Sequence, residues 1–342
     1  MNVWTKTALG AVGILAAAAA PLGGARGQSA EDFYRNKQVI LVISSAVGGD
    51  YDLWARTIAR HFGNHVPGKP SFVPQNMPGG GQMTATNHLF NVAPKDGSVI
   101  GMIGRNLPNQ ALFKHPNVQF DPVKFNWIGS PELTNRICVA TSKSGITKGE
   151  DLFEKELIVG GAGAGTAITA TPLLLSNVLG MKFKLIEGYG SGTNVLLAIE
   201  RGEVQGLCQT YTAIQNGHDA WLKDGRFKIL FNMEKTPIPG VDAPTIYQFT
   251  KTQEQRDIIG LYNSSVELGR PMVAPPGVPA ERVTALRRGF DATMKDPAFL
   301  ADAEKQKLEI NALTGEQLEQ LIADLMKTPP ELSEKMENMT RR

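Results

Sequence analysis

Five apolar residues, Val39 to Ile43, run without a polar break, a pattern that suits a strand buried on both faces of a parallel sheet. A small loop follows, Ser44-Ser45-Ala46-Val47-Gly48-Gly49. Then Trp54, Ile58 and Phe62 recur at a four-residue interval, which predicts a helix with Asp50 or Asp52 as its N-cap. The same succession of strand, glycine turn and helix recurs three times. Ser71 to Gln75 leads through Asn76-Met77-Pro78-Gly79-Gly80-Gly81 into a helix ending near Asn91. Leu157 to Gly160 leads through Gly161-Ala162-Gly163-Ala164-Gly165-Thr166 into a helix ending at Leu179, which Thr171-Pro172 would restart as N-cap and first helical residue. Phe183 to Ile186 leads through Glu187-Gly188-Tyr189-Gly190-Ser191-Gly192 into a helix from about Thr193 to Arg201. Each turn puts free backbone N–H groups and a helix N-terminus at the carboxyl end of a strand, a place suited to an anion or polar ligand. Two such turns early and two in the middle predict an α/β chain with two lobes facing each other across a cleft.

The remaining pattern fills in around these units. Ser98 to Ile103 reads as a strand, and Arg105 to Asn109 as a polar, irregular third cleft loop. Trp127 to Glu132 leads into the apolar run Ile137 to Ala140, taken as the first crossing between lobes. Gly180 and Gly202 stand where left-handed C-caps are wanted. Val204 to Gln209 is a strand followed by a polar loop, Thr210-Tyr211-Thr212, and Phe227 to Phe231 is the next strand. Prolines and glycines between Thr236 and Pro244 mark a connector near the return crossing. Arg270 to Ala274 is a strand, and the rest is helical. Val283, Leu286 and Phe290 mark one helix from Glu281 to Met294, Thr314 with Gln317 forms a capping box for another, and a short helix starts near Glu331. The lobes this predicts are 28–131 with 232–342, and 132–231.

At 342 residues the chain is long for one domain, and 42% apolar with 20% charged residues fits a soluble globular protein. A net charge of +2 with scattered basic residues gives no footprint for nucleic acid. Residues 1–27 read as a secretory signal peptide: Lys6 near the start, the alanine-rich run Ala8 to Ala20, then small residues around Ala25-Arg26-Gly27. The apolar run is short for a membrane span, and no cysteine follows it for lipid attachment. A cleaved signal and a periplasmic location are expected. Cys138 and Cys208 either pair, if their strands lie side by side, or remain two buried thiols.

Known reaction motifs fail on inspection. Gly160 to Thr166 lacks the lysine of a phosphate loop, and neither Gly161-Ala162-Gly163 nor Gly188-Tyr189-Gly190 has the third glycine of a dinucleotide fingerprint. Ser191 has tyrosine two residues before it, which breaks the nucleophile-elbow pattern. His61 and His65 have a metal-like spacing, but two histidines favoured by a helix C-terminus explain it better. No catalytic group, metal or cofactor is expected. What remains is ligand capture by amides and hydroxyls, with Ser44, Ser45, Thr166, Ser191, Thr193 and Thr210 as donors, and Tyr51, Tyr189 and Tyr211 as apolar walls with polar tips.

Several of these stretches, in order, resemble one family. Gly48-Gly49-x-x-Asp52 with Ala55-Arg56 resembles the first ligand loop of the tripartite tricarboxylate transporter substrate-binding proteins, the Bug family. Asn76 to Gly81 is similar to its second loop, Asn91 to Gly97 to its following turn, and Gly161 to Thr166 to its first second-lobe loop. Tyr189-Gly190-Ser191-Gly192 and Val273 to Pro279 resemble its later turns. The resemblance implies a type II periplasmic-binding-protein fold and delivery to a membrane transporter with one large and one small subunit; a monomer is expected. It implies carboxylate ligands held by amides, hydroxyls and waters rather than by an arginine clamp. The candidate ligand set is Ser44, Ser45, Val47, Gly48, Gly49, Tyr51, Asp52, Gly80, Arg105, Ala164, Thr166, Tyr189, Gly190, Ser191, Gly192, Thr193 and Thr210. Asp50 adds an acid beside Asp52, and Met77 stands where the family has a basic residue; both point to a ligand less charged than citrate. The alternatives are a ligand sensor that signals to a membrane kinase and an exported enzyme on the same fold.

Overall fold

The structure, a computed structural model, describes Met1 and residues 28–45, 47, 48, 50–132, 135–161 and 166–340. The signal-peptide reading, Gly49, and Ala164 in its glycine loop lie outside the described residues.

Among the described residues, eleven strands form two sheets. They are β1 (Gln38–Ile43), β2 (Ser71–Asn76), β3 (Val99–Met102), β4 (Asn126–Ser130), β5 (Arg136–Thr141), β6 (Leu157–Gly160), β7 (Phe183–Ile186), β8 (Gly206–Thr210), β9 (Phe227–Asn232), β10 (Met272–Ala274) and β11 (Leu313–Thr314). The α-helices among the described residues are α1 (Ala30–Tyr34), α2 (Asp50–Phe62), α3 (Met83–Asn91), α4 (Leu107–Leu112), α5 (Ala167–Leu179), α6 (Gly192–Arg201), α7 (Tyr211–Lys223), α8 (Gln253–Glu267), α9 (Ala280–Thr293), α10 (Pro297–Lys305), α11 (Gly315–Leu325) and α12 (Pro330–Met339).

The first sheet has the order β11-β4-β10-β3-β1-β2, the second β7-β6-β8-β5-β9. In each, three strands run parallel and the next runs antiparallel: β10 against β3 in the first, β5 against β8 in the second. The antiparallel strand is in each case the first after the chain has come across from the other sheet. Along β1, Leu41 and Ile43 pack into one core and Val42 into another, so the apolar run is covered on both faces, with Ile40 alone reaching 36% exposure. In β5, Ile137 and Val139 face one core while Cys138 and Ala140 face its opposite.

The strand and the helix of all four predicted units are present, and Gly180 and Gly202 are left-handed C-caps at φ 76° and 77°. Four local expectations are corrected. Asp50 begins α2 and Asp52 sits in its first turn, so neither is the N-cap. Helix α5 runs unbroken through Pro172, because Leu174 and Leu175 anchor it in two cores and Thr171 Oγ1 bonds the Ala167 carbonyl at 2.7 Å. Thr210-Tyr211-Thr212 is no loop, since Thr210 ends β8 and is the N-cap residue of α7, which begins at Tyr211, and the polar stretch from Arg105 becomes α4 at Leu107.

Cys138 and Cys208 sit opposite each other in the β5–β8 pairing and form a disulfide, their Cα atoms 4.0 Å apart. The two crossings meet at one point. The Arg270 N–H donates to Ser130 Oγ at 2.8 Å, and the Arg270 guanidinium pairs with Glu132 at 2.5 Å. Gly269 has φ +60°, and a Cβ there would lie 1.7 Å from the Glu132 carbonyl oxygen, so only glycine lets the two strands of chain pass this closely.

Candidate functional site

A cavity of about 710 Å³ opens between segments of both sheets. Tyr51, Gln82 and Arg105 line it from the first, Arg136, Ala167 and Ala170 from the second; Tyr262 of α8 and Met336 of α12 complete the wall. This size suits a small organic ligand. Helix α12 packs on both α5 and α8, with Asn177 Nδ2 donating to the Met339 carbonyl at 2.9 Å.

The carboxyl end of β1 is wired internally. Asp52 is buried; its Oδ2 accepts the Gly48 N–H at 2.9 Å, and its Oδ1 accepts Arg56 Nε at 2.8 Å and Asn76 Nδ2 at 2.9 Å. Burial alone would raise its pKa, but these hydrogen bonds hold the carboxyl below its usual value. Asn76 also donates to the Ser45 carbonyl, which ties the first two glycine loops together. Ser44 is buried, and its Oγ finds no partner among the described residues. Val47 is exposed, as is Gly80 in a short turn.

Tyr51 and Arg105 come together in the cavity, where the Tyr51 hydroxyl accepts the Arg105 backbone N–H at 3.1 Å. The second-lobe candidates stand apart from it. Thr166 is the N-cap residue of α5, and its Oγ1 donates to Thr169 Oγ1 at 3.2 Å. Ser191 Oγ caps α6, accepting the Asn194 N–H at 3.2 Å. Gly192 backs onto Gln209, whose Nε2 would lie 2.1 Å from an added Cβ. Gly190 has φ +71°, and Thr193 is exposed. Burial and then Glu203 push the Tyr189 phenol up. Thr210 lines a smaller cavity of about 200 Å³ with Asp50 and Arg270.

Three residues of this region were not foreseen from sequence: Arg136, Arg270 and Tyr262. Arg136 is 3% exposed, and its guanidinium lies 5.2 Å from the Tyr262 ring centroid. Arg270 pairs with Asp50 at 3.1 Å as well as with Glu132, and stacks over Tyr51 at 5.1 Å. Burial lowers the Arg105 pKa, the Arg136 and Arg270 charges add to this, and Tyr51 and Glu132 oppose it. Burial pushes Glu234 up to about 7, against the hydrogen bond its Oε1 accepts from the Arg136 N–H at 3.2 Å. The signal for the arginines was present: Arg136 opens the buried strand ICVA, and Arg270 stands two residues before the buried strand MVA. A charge set against a wholly apolar run at a crossing needs a partner.

The histidines of α2 and the turn after it pair with acids near or on α10. His61 Nε2 lies 2.9 Å from Asp302 Oδ2, and His65 Nε2 lies 2.8 Å from Asp296 Oδ2. No group of three metal-ligating side chains occurs among the described residues.

No protein-family model matches the chain, and no curated protein matches it in sequence. Solved structures do match. A TctC solute binding protein from Polaromonas, solved without ligand, superposes with a TM-score of 0.70 at 16% identity, over 88% of this chain and 99% of that one. The periplasmic binding protein BugD gives a TM-score of 0.58 at 20% identity, over 90% and 98%. An R. palustris protein solved with adipate gives 0.60 at 18% identity, over 89% and 97%. At these identities the likeness establishes the fold: a two-lobed α/β periplasmic-binding-protein architecture over nearly the whole described chain.

Proposed function

We propose that this chain is a periplasmic solute-binding protein. It captures a small organic acid between lobes 28–131 with 232–342 and 132–231, and delivers it to a membrane transporter of the tripartite tricarboxylate type. The observation that carries the reading is the cavity of about 710 Å³ walled from both sheets, in a fold shared with a protein solved with adipate. The division of strands between the two sheets supports the lobe assignment. A ligand that touches both walls stabilises the closed arrangement over the open one, and the closed arrangement is what a transporter recognises. Export on a signal at residues 1–27 and a monomeric receptor belong to the same reading. In the closed form, the loop from Ser44 to Asp52, Thr166 and the turn from Gly190 to Thr193 approach the ligand from the two sides.

The test is a thermal-shift screen of the mature chain against di- and tricarboxylates, aromatic acids, amino acids and neutral controls. An acid at a hundred times its dissociation constant adds about 2.7 kcal/mol of stability. A carboxylate among the stabilising compounds is the expected result. Stabilisation by neutral or cationic compounds alone would sink the organic-acid assignment.

A further inference from the structure

Arg105 follows β3 of the first sheet by three residues, and Arg136 opens β5 of the second. Both line the same cavity, and each carries a buried Nη1 with no hydrogen-bond partner among the described residues. The third cation of the region is already matched, since Arg270 pairs with Glu132 and Asp50. Tyr262 orients the Arg136 guanidinium through its ring face but offers it no acceptor there. Glu234, the acid beside Arg136, gives its Oε1 to the Arg136 backbone N–H, and burial favours its protonated form. Two like charges therefore approach one space from opposite sheets, in surroundings that screen poorly; Glu132 acts on Arg105 from its pairing with Arg270 and Glu337 also lines the cavity, but neither buried Nη1 has an acceptor among the described residues. Guanidinium is also the side-chain group whose planar fork matches a carboxylate.

We propose that Arg105 and Arg136 receive the ligand carboxylate between them, so that the bound anion is the missing counter-charge that draws the two sheets together. This rests on the receptor reading above. The ligand it selects is an organic acid with a free carboxylate, its carbon body lying against Tyr51, Tyr262 and the alanines of α5. Binding by an arginine pair at the crossing differs from capture by the amides of glycine loops. It also explains how an acid couples to closure: the empty cleft sets two cations against each other, and the filled cleft joins them.

Calorimetric titration of the mature chain tests this, with adipate, malate, citrate and benzoate as probes and adipamide as the neutral control. Wild type binds at least one acid and not adipamide. Arg105→Gln and Arg136→Gln each weaken that acid by at least about 30-fold, the loss expected when one partner of a buried charged pair is removed. Arg105→Lys keeps the charge without the fork and falls between. Should Arg136→Gln fail to fold, Arg105→Gln decides alone, because Arg105 is only partly buried. Acid binding unchanged in Arg105→Gln would overturn the arginine pair and leave the receptor standing. A wild type that binds none of the acids would overturn both.

Discussion

Glu234 shows how a single side chain makes stability depend on pH. Burial raises its pKa from 4.5 to about 7 in the folded protein. The folded state therefore binds more protons than the unfolded chain across that interval. Its favourable contribution is complete below 4.5 and is lost as pH rises through 7. Glu234→Gln keeps the acceptor for the Arg136 N–H and removes the titration. The variant should match wild type at pH 4 and exceed it at pH 8 by about 3 kcal/mol, the worth of that rise in pKa. Chemical denaturation at the two pH values checks this; equal gains at both would refute it. At this scale the sequence was legible for residue type but not for partner. Ser191 could be read as a donor because it is a serine in a turn, yet its oxygen caps α6. Asp52 could be read as an acid at a helix start. Its three donors come from Gly48, Arg56 and Asn76, and the last lies 24 residues away, where no local pattern reaches.

At the scale of elements, caps decide where helices begin. Thr252 and Gln255 form a capping box at the start of α8, the helix that carries Tyr262 to the cavity. Thr252→Ala should lower stability by about 1 kcal/mol. Ligand affinity should hold, because packing of Ile258, Ile259 and Leu261 keeps the helix in place. Urea denaturation beside titration separates the two effects, and an affinity loss as large as that of Arg105→Gln would contradict this view. The same signature was read at Thr314 with Gln317, where an apolar pattern follows at once. It went unread at Thr252, where Gln253-Glu254-Gln255-Arg256-Asp257 hides the apolar stripe. Helix α7 was missed for another reason. Gly217 breaks its pattern, and the backbone does depart from helical geometry at His218, which pairs with Glu200 at 2.8 Å. Tertiary packing carried the helix across a local stop signal.

For the whole molecule, the legible part was the repeated strand, turn and helix, because a buried parallel strand leaves an unbroken apolar run. What joins the repeats was not legible, since pairing between distant strands leaves no periodic trace. The disulfide is such a case: Cys138 and Cys208 are 70 residues apart in sequence and face each other in the second sheet. By loop-closure entropy, a cross-link of that span stabilises by about 4 kcal/mol. Replacing both cysteines with serine should lower the unfolding temperature by an amount that matches reduction of wild type, and a variant as stable as the oxidised protein would exclude a stabilising bond. The meeting of the two crossings at Arg270, Ser130 and Glu132 has a mechanical meaning. Bodies joined by two cords knotted at one spot can turn about that spot but cannot slide past each other there. An observer on the outer surface then reads only how the two bodies are turned. On the receptor reading proposed above, two acids that close the cleft equally would present the same outer surface, so discrimination between them would have to be finished inside the cleft before the door shuts.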